Sequence, residues 1–109
     1  MGSEMCIRDR IMAVFIALAD FTQKGIEDFS TTADRAGLFK EMAQKAGVTI
    51  RDIYWTMGSH DAVIIMEGPD DEAVTAVMLK LGSLGNVRTE TLRAFTSSEM
   101  KEIISKVPG

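Results

Sequence analysis

The chain has 109 residues, 46% hydrophobic and 26% charged, with a formal net charge of −4. That is the size of one small domain with a modest core, and the absence of any basic block argues against a nucleic-acid surface. The longest apolar run, Ile11 to Ala19, is too short to span a membrane, and a single cysteine, Cys6, allows no internal disulfide and fits a reducing cytoplasm.

Met1 to Arg10, MGSEMCIRDR, has neither helical nor strand period. Its Ser3 to Arg10 portion resembles translated sequencing-adapter sequence; a native disordered tail is the alternative. Residues 1–11 are therefore read as a non-native or disordered extension and residues 12–109 as the domain, with Met12 as a natural start. Setting the extension aside removes equal numbers of acids and bases, so the charge argument stands. It also removes Cys6 as a nucleophile.

Ala13 to Ala19, AVFIALA, predicts a first strand that is apolar on both faces. Gly25 to Ala46 predicts a helical region interrupted near Thr31. Phe39, Met42, Ala43 and Ala46 form its stripe, Thr32 is its N-cap and Gly47 its stop. Val48 to Met57 predicts a second strand carrying Ile53-Tyr54-Trp55. Gly58-Ser59-His60-Asp61 is a hairpin signal, and Asp61 to Glu67 a third strand, again without alternation. Asp70 caps the next helix, whose stripe is Val74, Val77, Met78 and Leu81. Val87 to Phe95 predicts a fourth strand. Thr96 with Glu99 fits a capping box for an amphipathic last helix built on Met100, Ile103, Ile104 and Val107.

The order β-α-β-β-α-β plus a C-terminal helix is the ferredoxin-like arrangement of the α+β class: a four-stranded antiparallel sheet with both main helices on one face. The other face should be polar, yet the first and third strands are apolar on both sides. A second copy packed sheet to sheet about a two-fold axis, a dimeric α+β barrel, would cover it. The competing reading folds the last helix over the sheet.

Thr22-Gln23-Lys24-Gly25, Gly58-Ser59-His60-Asp61, Glu67-Gly68-Pro69-Asp70 and the run from Gly82 to Phe95 together resemble the GYD domain family. The resemblance covers Met12 to Val107. It implies a small bacterial or archaeal protein built like the dimeric α+β barrels. His60 stands where the family's eponymous tyrosine is expected beside Asp61.

Few side chains suggest chemistry. His60, the only histidine, can act as a proton shuttle or an axial haem ligand; a tolerated turn residue is the plainer reading. Asp61 can orient it or bond its own backbone. Arg88 and Glu90 share a strand face, Arg93 taking the other; the first two can bind a polar ligand together or simply guard an edge strand. Tyr54 and Trp55 point to opposite faces, one beneath the helices and the other toward an inter-sheet space. Met42, Met66, Met78 and Met100 read as gap-fillers. No phosphate loop, dinucleotide fingerprint, serine triad or metal-ligand set is visible, and no cofactor is expected.

Two functions follow. In the first, a cytoplasmic homodimer binds a small organic ligand between sheet and helices as a carrier, sensor or accessory subunit, with Tyr54, His60, Asp61, Arg88 and Glu90 as candidate contacts. In the second, which rests on analogy with the dimeric barrels it resembles, a cofactor-independent enzyme of the monooxygenase or isomerase kind uses His60 or Tyr54 with Arg88. An outer-rim position for His60 would count against the enzyme.

Overall fold

The computed structural model describes residues 12–109. In chain order it contains β1 (Ala13–Phe21), α1 (Gln23–Glu27), a 3-10 turn (Phe29–Thr31), α2 (Thr32–Lys45), β2 (Thr49–Trp55), β3 (Ala62–Gly68), α3 (Asp71–Ser83), β4 (Val87–Ala94) and α4 (Ser97–Ser105). The strands form one antiparallel sheet in the order β2-β3-β1-β4, the ferredoxin-like order read from the sequence. The proposed N-terminal extension, residues 1–11, lies outside the described residues.

Alternation along the strands decides which side chains meet the helices. On β1 these are Phe15, Ala17 and Ala19; on β3 they are Ala62, Ile64 and Met66. They pack against Phe39 and Ala43 of α2 and Val74, Val77 and Met78 of α3. Met66 and Val48 are fully buried. Side chains of this kind each contribute about 1.5–3 kcal/mol through burial. The opposite face carries Val14, Ile16, Leu18, Val63 and Ile65, all half-buried.

No other described residue covers this second face. The register sets Tyr54, Val63, Leu18 and Glu90 in one row across the four strands, and Asp52, Ile65, Ile16 and Leu92 in the next. Aliphatic side chains thus fill the middle; the edges carry Tyr54, Asp52 and Glu90, with Leu92 extending the apolar surface onto β4. The last helix does not close over them: α4 buries none of its residues and leaves Met100 and Ile104 exposed.

Local signals explain most boundaries. The interruption expected near Thr31 is present, but Thr32 is not the cap. It is the first residue of α2, and its hydroxyl accepts the indole N–H of Trp55 at 3.1 Å. A side-chain cap occurs instead at Thr22, whose Oγ1 accepts from the Gly25 amide. Gly47, at φ 84°, ends α2 in the left-handed region that favours glycine. Asp70 caps α3 through the Ala73 amide. β1 runs two residues past its expected end because Asp20 and Phe21 pair with Arg88 and Val87. On β2 the register shifts between Ile50 and Asp52, a bulge that lets Ile50 and Ile53, three apart, both pack on the core.

The capping box at α4 is complete. The Glu99 amide donates to Thr96 Oγ1, and the Thr96 amide donates to the Glu99 carboxylate at 2.8 Å. That backbone bond, opposed in part by desolvation and helped by nearby Arg93, holds the Glu99 carboxyl below its ordinary range. A depressed carboxylate stabilises above its unfolded pKa and loses that contribution as pH falls through the folded value. Acidification to about pH 4 and below should therefore loosen α4. Thr96→Ala should destabilise α4 by about 1 kcal/mol at neutral pH. Because α4 buries nothing, faster amide exchange confined to residues 97–105 is the expected readout, with little change in the global melting temperature.

Candidate functional site

Small residues leave a gap between the sheet and the helices. Ala19 and Ala62 are cross-strand partners, and both side chains point toward the helices where larger residues would fill the core. Above them lies a cavity of about 460 Å³, within the usual size of ligand pockets, roughly 300–1,000 Å³. Ile53 and Ile64 complete its floor, Phe39 and Met42 of α2 and Leu81 of α3 its walls, and Phe21 and Val87 its far end. Trp55 forms one side, held by its bond to Thr32. Polar atoms come from Thr32, Asn86 and three cations, Lys24, Arg35 and Lys80.

The mouth is built by a close approach of α1 to the loop before β4. The Thr22 amide donates to Asn86 O at 3.1 Å, and Thr22 Oγ1 donates to Gly85 O. Lys24 Nζ donates to Leu84 O at 3.0 Å. Gly25 allows the contact, since a Cβ there would fall 1.9 Å from Asn86 O.

Trp55 apart, the side chains singled out from sequence for chemistry do not line this cavity: Tyr54, His60, Asp61, Arg88 and Glu90 all lie outside its lining. Tyr54 and Glu90 lie in one row of the open sheet face, on opposite edge strands. Arg88 is the β4 partner of Asp20, so it shares that face, and Arg93 takes the helix side beside Phe15. His60 sits at the end of the sheet with Nδ1 3.3 Å from Asp20 Oδ1, both side chains well exposed. His60, Asp20 and Arg88 are thus near neighbours, while Tyr54 and Arg88 stand three strand spacings apart, about 14 Å or more. Of the adjacent aromatics, Trp55 is the one beneath the helices, and Tyr54, 53% exposed, faces outward. Among the described residues, no group of three histidine, cysteine or acidic side chains is placed to hold a metal ion.

Asp61 does neither of the things expected of it. Its carboxylate accepts the Phe21 amide at 2.8 Å, and its own amide donates to Ala19 O at 2.9 Å, clamping the hairpin to β1. That clamp also places Phe21 at the cavity. Asp61→Ala should cost about 1.5–3 kcal/mol, the worth of a charge-assisted hydrogen bond. His60→Ala, which removes an exposed pair, should cost under about 1 kcal/mol. Chemical denaturation of the two variants side by side checks the ranking.

The geometry defines a small α+β domain: a split βαβ sheet with an apolar cavity beneath its helices and a second face that no other described residue covers. The chain belongs to the GYD domain family, whose model matches residues 15–104. It is 31% identical over 90 residues to a Thermus thermophilus protein named "Glutamine synthetase and cystathionine beta-lyase binding protein", an alignment covering 82% of this chain and 95% of the relative. No solved structure gives a significant match. No helix among the described residues is long and apolar enough to cross a membrane.

The sequence carries the alanines Ala19 and Ala62, but Ala13 and Ala17 in the same first strand give no sign that these two in particular open a cavity. Pairing them required the β1–β3 register, which their separation in the chain conceals.

Proposed function

We propose that this protein is a cytoplasmic accessory protein that acts by binding. In this reading it is a homodimer through its open sheet faces, holds a small organic ligand under its helices and contacts an enzyme through its outer surface. The observation that carries the reading is the cavity: its lining is mostly aliphatic and aromatic, and among the described residues contains no histidine, cysteine or carboxylate to move protons or attack a substrate. The relative's printed name supports a role in binding enzymes. The enzyme alternative fares less well, because His60 lies outside the cavity and Tyr54 and Arg88 cannot reach one small substrate within a protomer.

Two features support the dimer. Val14, Ile16, Leu18, Val63 and Ile65 make a continuous apolar patch that Leu92 extends onto β4, and Met100 and Ile104 of α4 are also exposed among the described residues. Native mass spectrometry of the purified protein tests both halves of the proposal. Twice the chain mass, with a small retained adduct, is expected. A bare monomer at micromolar concentration would refute the dimer. Titration against purified glutamine synthetase and cystathionine beta-lyase then asks whether this chain shares the relative's named partners.

A further inference from the structure

We propose that the cavity selects an organic anion: an apolar body carrying one acidic head group, such as a carboxylate. The inference rests on the reading that the cavity binds a ligand, and adds the charge of that ligand. The chain is acidic overall, with 16 acids against 12 bases. Yet among the described residues the charged side chains lining the cavity are Lys24, Arg35 and Lys80, with no carboxylate beside them in the lining. They come from α1, α2 and α3, so tertiary packing brings them together rather than a basic run in the chain.

These charges are largely uncompensated. Lys24 donates to a neutral carbonyl, that of Leu84. Lys80 makes no ion pair among the described residues and has no acid one turn away on α3. Arg35 is shared with Asp28 at 3.3 Å, at the surface. Against an apolar wall an unpaired cation attracts an anion more strongly than it would in bulk water. Asn86 adds a further group. Its amide oxygen is buried with no hydrogen-bond partner among the described residues, and a half-turn of the amide would present a donor there instead. A neutral apolar guest would leave that group and the cations unused; a cationic guest would be repelled.

The only tryptophan of the chain, Trp55, lines the cavity and reports on its contents. We would titrate the full-length protein with octanoate, octanol and protonated octylamine, below their aggregation limits, and follow Trp55 emission. Octanoate should bind about tenfold more tightly than octanol, and octylamine weakest. Lys80→Gln, an exposed helical substitution, should remove most of the octanoate advantage and leave octanol unchanged. Equal affinity for octanoate and octanol, or an octanoate affinity indifferent to Lys80→Gln, would overturn the anion assignment while leaving the cavity a binding site. If no probe changes Trp55 emission, and none is displaced in a competing calorimetric titration, the binding reading itself fails and takes the assignment with it.

Discussion

Ile65→Lys is expected to yield a folded monomer, whereas Ile64→Lys is expected not to fold. The two residues are neighbours on β3 and chemically identical, so the contrast isolates the two sheet faces. Ile64 is 5% exposed, pairs with Ala17 and Ile53, and belongs to the core under the helices. Truncating such a side chain alone costs about 2–5 kcal/mol. Burying an unpaired ammonium adds several more. Together these remove most of the roughly 5–15 kcal/mol that holds a domain of this size.

Ile65 points the other way, between Ile16 and Asp52. In a lone protomer a lysine there can extend its ammonium to water or toward Asp52. Within a sheet-to-sheet interface, of roughly 1,600 Å² if of standard size, its ammonium would be trapped against the apolar face of the partner. The loss should appear as dissociation, with the far-ultraviolet circular dichroism of the wild type retained. Sedimentation of the wild type and both variants settles the matter. A wild type that is itself monomeric, or an Ile65→Lys protein that stays dimeric, would refute the interface.

The second large effect is expected at Gly25. Replacing a helical glycine by alanine normally stabilises by up to about 1 kcal/mol. At Gly37, inside α2 with open space around it, that gain is the expected result. At Gly25 the added Cβ would sit 1.9 Å from Asn86 O and 2.9 Å from its carbonyl carbon. Both are backbone atoms, so no rotamer change relieves the clash. The loop must retreat, and the bonds from Thr22 and Lys24 to residues 84–86 weaken with it. Overpacking costs about 1–3 kcal/mol, and each lost hydrogen bond about 1 kcal/mol more. Gly25→Ala should therefore destabilise by roughly 2–4 kcal/mol, a fall in Tm of about 10 °C or more. Because the same loop forms the cavity mouth, octanoate binding should weaken even where the variant is still folded. A Gly25→Ala protein as stable as Gly37→Ala would show that the loop does not need this approach.

The amino-acid sequence by itself determined the elements and their order. Strand, helix and cap signals act over a few residues: the period of the Phe39–Met42–Ala43 stripe, Asp70 before Ala73, the Thr96–Glu99 box, the left-handed Gly47. Those elements in that order leave few topologies, and the two apolar central strands were already visible as a surplus that one layer of helices cannot cover. What the sequence left open was direction and meeting. Two-sided apolar strands do not say which side faces the helices; only the packing of α2 and α3 assigned Ile64 inward and Ile65 outward. The Ile50–Asp52 bulge, which corrects the parity of β2, has no local mark. Asp61 and Phe21 are 40 residues apart and Thr22 and Gly85 are 63 apart, so neither contact has a spacing to read. The cavity depends on the same long-range geometry, since it exists only where Ala19 meets Ala62 and three separate helices each turn a cation toward one opening.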